Sequence, residues 1–173
     1  MSIDLDTLEL HTYPAEILKQ KATPFELPLP DNIEEVGERM LEIMYDFNGI
    51  GLAGPQAGLG KRVIVFDLSD TRDEPHVLIN PVLTEVSKDK VNGEEGCLSF
   101  PEINGMVMRH LDVKVTGLNP KGEEVSYEGS ELMAAMFQHE IDHLDGIAFV
   151  DRLGATGKMR IKKQLQNLEE NFA

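Results

Sequence analysis

The sequence is short of basic residues, of cysteine and of long apolar runs. Its 173 residues carry 16 Lys and Arg against 31 Asp and Glu, a formal charge of -15. An acidic surface argues against nucleic acid as the main ligand, because phosphate contacts need a basic face. DNA is therefore not an expected partner. A single cysteine, Cys97, excludes an internal disulfide and leaves either a buried packing group or a thiolate with a chemical role. Apolar runs such as VIVF at 63–66 fall far short of the roughly 20 residues needed to cross a bilayer. The N-terminal stretch has acids where a signal peptide has basic residues, and it lacks an apolar h-region. A cytoplasmic protein with no membrane partner is expected. Repeats, linkers and low-complexity segments are also missing, so the chain reads as one soluble domain over 1–173.

What is there is a mixture of short strands and helices. Asp31 and Glu34 resemble a capping pair, and Ile33, Val36, Met40, Leu41 and Met44 recur at helical spacing. A helix over about 31–47 is expected, with Gly49 as its stop. KRVIVFDL (61–68) and PHVLIN (75–80) read as strands. Alternation from Val107 to Val115 predicts one half-buried strand with Arg109 facing inward, followed by a turn at 119–122 and a returning strand. Ser130 is a candidate N-cap for a helix through His143, closed by Gly146. That helix is apolar on most sides and should be central. A last amphipathic helix is expected near 157–171, with Ile161, Leu165 and Leu168 as its stripe. Without a βαβ rhythm, the fold class is α+β.

The chemistry is concentrated in QHEIDHLDG (138–146). Positions i and i+4 share a helix face, so His139 and His143 can hold one metal with Glu140 beside it. The bland alternative is a core helix with two satisfied histidines. Burying His, Glu and His together without a metal costs several kcal/mol unless each is paired, on the order given for unpaired polar groups. A catalytic metal usually takes three protein ligands. The metzincin pattern fails, because Phe149 stands where its third histidine belongs. His11, His76 and His110 have no local signature, whereas Cys97 lies in EEGCLSF (94–100), flanked by acids. By elimination Cys97 is the third ligand. GIGLAG (49–54) matches the dinucleotide fingerprint in letters only, since it follows a helix and runs into Pro55. A glycine-rich turn whose backbone approaches a ligand suits it better.

Three segments, GIGLAGPQ (49–56), EGCLS (95–99) and QHEIDHLDG, occur in the order found in peptide deformylases, which the chain resembles over nearly its whole length. The resemblance implies antiparallel sheets around a central metal-binding helix, with a C-terminal helix. It implies hydrolysis of the N-formyl group from nascent polypeptides that begin with formylmethionine. The implied metal is Fe(II), replaceable by zinc, nickel or cobalt, on Cys97, His139 and His143. Such a metal activates water, and Glu140 carries the proton. The Gln56 amide and the Leu98 N–H would stabilise the oxyanion. Ile50, Gly51, Leu132, Ala135 and Met136 would bind the substrate, and Glu95 with Arg109 would support the ligands from behind. Two positions depart from the family pattern. Gly54 replaces an alanine and should loosen its loop, and Asn104 stands where an arginine often meets the substrate.

A different metallohydrolase, such as a peptidase, and a non-catalytic metal-binding protein are the competing readings. One further feature concerns partners. Arg152, Lys158, Arg160, Lys162 and Lys163 lie together, with no acid between 152 and 168. They form either a solvated helix face or, as the resemblance suggests, a ribosome contact of a monomeric enzyme.

Overall fold

The computed structural model describes residues 1–172. Helix α1 (Ile33–Asp46) is followed by strands β1 (Gly51–Ala53), β2 (Val63–Phe66) and β3 (His76–Val86). Strands β4 (Lys90–Cys97) and β5 (Phe100–His110) come next, then β6 (Asp112–Leu118) and β7 (Glu124–Ser130). Helices α2 (Leu132–Leu144) and α3 (Ala155–Glu170) close the chain. The strands form two sheets. One has five strands in the order β1-β2-β3-β6-β7, and the other is the β4–β5 hairpin. Every pairing between these strands is antiparallel. The fold is a single-domain α+β arrangement with α2 at its centre.

The period of two explains how one sheet can cover two helices. All four residues of β2 are buried. Val63 and Val65 join α1 residues such as Val36, Met40 and Met44 in one core. Ile64 and Phe66 face the other way and pack with Phe137, Ile141 and Leu144 of α2. The Phe66 and Phe137 rings meet edge-on with centroids 5.0 Å apart, a geometry worth roughly 0.5–1.5 kcal/mol beyond area burial. A third core joins Phe100, Ile103 and Val107 of β5 to Phe149, Leu153 and Ile161, with Leu165 and Leu168 against it. The expected stripe of α3 is therefore its packing face.

Several local expectations need correction. The alternation from Val107 to Val115 does not mark one strand. The chain breaks at Leu111 and passes from the hairpin to the large sheet, while Val107, Arg109, Val113 and Val115 all stay buried. The pattern survives because each strand keeps its own buried face. Ser130 does not cap α2. It ends β7 and donates to Asp112 at 2.5 Å, and Glu131 occupies the cap position with φ 56°. The Asp31–Glu34 capping pair is also absent, because Asn32 precedes α1 and its side chain bonds the Ile3 backbone at 3.0 and 2.7 Å. At Gly54 an added Cβ would clash with the Lys61 and Leu59 carbonyl oxygens, so the close approach there favours glycine.

Candidate active site

Helix α2 buries Gln138, His139, Glu140, Asp142 and His143 beside its apolar residues, and the two sheets bring their partners. Cys97 arrives at the end of β4, where the pairing with β5 shifts register between Gly96 and Cys97. Candidate ligand atoms of Cys97, His139 and His143 all lie within 4.8 Å of one another, and Cys97 Sγ is 3.3 Å from His143 Nε2. Bonds of 2.0–2.3 Å to a tetrahedral metal place neighbouring ligand atoms roughly 3.3–3.8 Å apart. The donor set thus has the size and chemistry to hold one ion.

The surroundings point the same way. The ionised Glu95 carboxylate can only accept, so His139 Nδ1 donates to it, at 2.9 Å. That leaves His139 Nε2 for a metal. Arg109 grips Glu95 with two bonds of 2.9 Å and reaches Asp142 at 2.7 Å. Asp142 also accepts from Arg152 at 2.5 and 2.8 Å. Burial alone raises the pKa of Glu95, but hydrogen bonds from Arg109 and His139 outweigh it and hold the carboxyl at about 2. Burial pulls the pKa of His139 down, yet Cys97, Glu140 and Glu95 hold it well above its ordinary value. A metal bound by His139 would have to displace the proton that these neighbours favour. His143 goes the other way, because burial first, and then His139 and Arg109, lower its pKa far below the usual range. A neutral ring is what a metal ligand requires.

Glu140 stands next to this cluster. Burial raises its pKa to about 7, and its Oε1 is one of two buried side-chain atoms without a hydrogen-bond partner among the described residues. His143 Nδ1 is the other. Unpaired buried polar atoms are rare enough to need an explanation. Gln56 lies within the turn at Gly54–Ala57. Its Oε1 accepts from the Ala53 N–H at 2.9 Å, which turns Nε2 toward the cluster, donating to Ser99 Oγ at 3.2 Å and Cys97 Sγ at 3.4 Å.

A cleft of about 360 Å³ opens beside these groups. Ile50, Gly51, Leu132, Ala135 and Met136 line it together with Leu98, and so does Asn104. No lysine or arginine lines it, and Arg109 is turned away into its carboxylates. The structure thus places the cleft residues, the Cys97, His139 and His143 cluster, Glu140, Gln56 and the Glu95–Arg109 pair side by side. His11, His76 and His110 stay apart from the cluster, with His76 stacked on Phe66 at 4.9 Å and His110 Nδ1 against the Ser87 carbonyl at 2.7 Å.

Some participants had been missed. Asp142 couples two arginines under the helix, although its place three residues after His139 puts it near that face. Ser99, fully buried, donates to the His11 carbonyl at 2.7 Å and so fixes the group that receives Gln56. Phe149 stacks on His139 with centroids 5.9 Å apart. Arg152 belongs to this network rather than to a free basic face.

An α+β scaffold with an H-E-x-x-H helix, a nearby thiol and an adjoining cleft defines a metal-dependent hydrolase. Comparison with known proteins narrows the class. The sequence profile of the polypeptide deformylases matches residues 7–159. A peptide deformylase of Hydrogenovibrio crunogenus is 40% identical over 156 residues, covering 90% of this chain and 91% of the relative. One from Tolumonas auensis is 42% identical over 165 residues, covering 95% and 98%. Among solved structures, a plant peptide deformylase superposes with a TM-score of 0.92 at 34% identity, covering 99% of this chain and 94% of the other. One from Legionella pneumophila gives 0.86 at 32% identity, covering 94% and 95%. The chain belongs to the polypeptide deformylase family.

Proposed function

We propose that this deformylase removes the formyl group from N-formylmethionyl nascent polypeptides with one metal held by Cys97, His139 and His143. The observation that carries the reading is the convergence of those ligand atoms beside the unpaired, buried Glu140 carboxylate. A bound divalent metal lowers the pKa of water and so supplies the nucleophile near neutral pH. Glu140 accepts the proton of that water and returns it to the departing amine, a task that suits a carboxyl with a pKa of about 7. Gln56 Nε2, aimed by the bond between its Oε1 and Ala53, donates to the oxyanion that develops on the formyl carbonyl. Leu98, which lines the cleft, supplies its N–H as the second donor in this reading. The methionine side chain occupies the apolar wall of Ile50, Gly51, Leu132, Ala135 and Met136, where an unbranched thioether fits.

Behind these groups, Glu95 orients the His139 ring and Arg109 keeps Glu95 ionised. Fe(II) is the proposed metal, in keeping with the thiolate in the ligand set. The enzyme is read as a cytoplasmic monomer, since one chain supplies the whole site. No helix among the described residues is long and apolar enough to cross a membrane. The exposed side chains of Lys158, Arg160, Lys162 and Lys163 on α3 offer a contact for ribosomal RNA.

The test is purification without oxygen, followed by metal analysis and turnover of a formyl-Met peptide alongside the same peptide unformylated. One metal per chain with formate release from the formylated peptide alone is the expected result. Cleavage of internal peptide bonds would point to a peptidase instead.

A further inference from the structure

Outside the proposed machinery, the loop from Asp67 to Glu74 is bonded to one wall of the cleft. Asp67 is fully buried, and its carboxylate accepts from the Tyr45 hydroxyl at 2.6 Å, from Ser69 Oγ at 2.6 Å and N at 2.8 Å, and from Glu74 N at 3.2 Å. Its own N–H donates to the Ile50 carbonyl at 2.9 Å. Arg72, at φ 59°, carries its guanidinium over the Tyr45 ring, 5.0 Å from the centroid. From there it donates to the Asp67 carbonyl at 3.3 Å and to the Gly49 carbonyl. Arg72 forms no salt bridge among the described residues. Its charge is directed instead at two carbonyls and a ring face, and one of those carbonyls belongs to the cleft.

Gly49, Ile50 and Gly51 all line the cleft. β1, which begins at Gly51, is an edge strand that pairs only with β2. The loop therefore anchors both carbonyls just before an otherwise one-sided strand. Position matters here, because a Cβ on Gly51 would lie 2.7 Å from Glu140 Oε2. The strand backbone is thus packed directly against the proposed proton carrier. Losing the bond to Gly49 frees the chain between α1 and β1 to shift.

We propose that Arg72 is a positioning residue for the substrate, holding the Gly49–Gly51 edge in the place where the formyl peptide lies. The inference rests on the reading of the cleft as a formyl-peptide site. Arg72 touches neither the substrate nor the ligand cluster, so its removal should weaken peptide binding while leaving the metal in place.

In metal-loaded Arg72→Gln, KM for a formyl-Met tripeptide should rise about tenfold while kcat stays within about threefold, since misplacement of a positioning group costs binding geometry. Metal content should equal that of the parent. Arg72→Lys keeps a charge that can reach a carbonyl, and it should hold KM to about threefold above the parent. A merely structural arginine would lower the folded fraction, which reduces apparent kcat and leaves KM alone. That result, or an unmoved KM in Arg72→Gln, overturns the inference. Should Arg72→Gln fail to fold, the lysine variant decides, with a parental KM at full metal content counting against it. Inactivity of the loaded parent on formyl peptides would overturn the proposed function and this inference with it. An active parent whose KM is unmoved in the variants overturns this inference alone.

Discussion

Helices α2 and α3, of 13 and 16 residues, make opposite use of charge. Ten residues of α2 are buried, five of them polar or charged, whereas α3 buries Ile161 alone. Gln138, His139 and Asp142 are paired with groups from elsewhere in the chain, whereas Glu140 Oε1 and His143 Nδ1 have no hydrogen-bond partner among the described residues. Arg109 joins Glu95 and Asp142, Glu95 orients His139, and Arg152 covers Asp142. The basic residues of α3 face solvent and have no salt-bridge partners among the described residues. Changes on the two helices should accordingly differ in both kind and size.

The largest effect is expected at the metal cluster. Cys97→Ser should lose most of its bound metal, and turnover should fall at least about 100-fold, because the remaining histidines make an incomplete ligand set. Stoichiometric metal and parental turnover would remove Cys97 from the ligand set. Next comes the buried charge beneath α2. Arg109→Met leaves Glu95 buried without its counter-charge and Asp142 with Arg152 alone, and breaking a buried pair costs about 3–5 kcal/mol. Denaturant unfolding of the metal-free protein should show that loss, and a change under 1 kcal/mol, about the size of a surface pair, would contradict it.

Asp67 sharpens the contrast, since it is buried but lies outside the metal cluster. Burial raises its pKa, while hydrogen bonds from Ser69, Tyr45 and Glu74 outweigh this and hold it at about 2. Its folded value lies below the roughly 3.9 of an unfolded Asp. Its stabilisation is therefore complete above that value and disappears as pH falls through about 2. The Tm difference between parent and Asp67→Asn should be widest above pH 5 and shrink on acidification; a pH-independent difference would refute the depressed pKa. The smallest effect belongs to α3. Changing Lys158, Arg160, Lys162 and Lys163 to glutamate should leave turnover of a short free peptide unchanged while reducing salt-sensitive cosedimentation with ribosomes. Undiminished cosedimentation would make those residues a solvated face only.

The same contrast explains what could be read from the sequence. The chemistry of α2 was legible because helical spacing alone places His139, Glu140 and His143 together. The packing face of α3 followed from Ile161, Leu165 and Leu168. Strand β4 was hidden, because its half-buried positions are Gly93, Glu95 and Cys97, hardly an apolar series, while Val91 is exposed. What makes Glu95 an inward residue is Arg109 on the paired strand, a relation across the hairpin that periodicity does not encode. The break at Leu111 was concealed for a related reason, since the chain changes sheets without interrupting its alternation. Asp67 and Arg72 gave no signal at all, because their partners Tyr45 and Gly49 belong to a distant helix and its exit.

The central claim is that α2 holds a metal and also carries the proton for hydrolysis, with separate residues for each task. Glu140→Gln tests it most directly, because the amide keeps the shape of the carboxylate and cannot accept the proton. The variant, purified without oxygen, should retain one metal per chain while turnover of a formyl-Met peptide falls by about 100- to 10,000-fold, the range for loss of a general base. Retained metal with turnover near that of the parent would contradict the account.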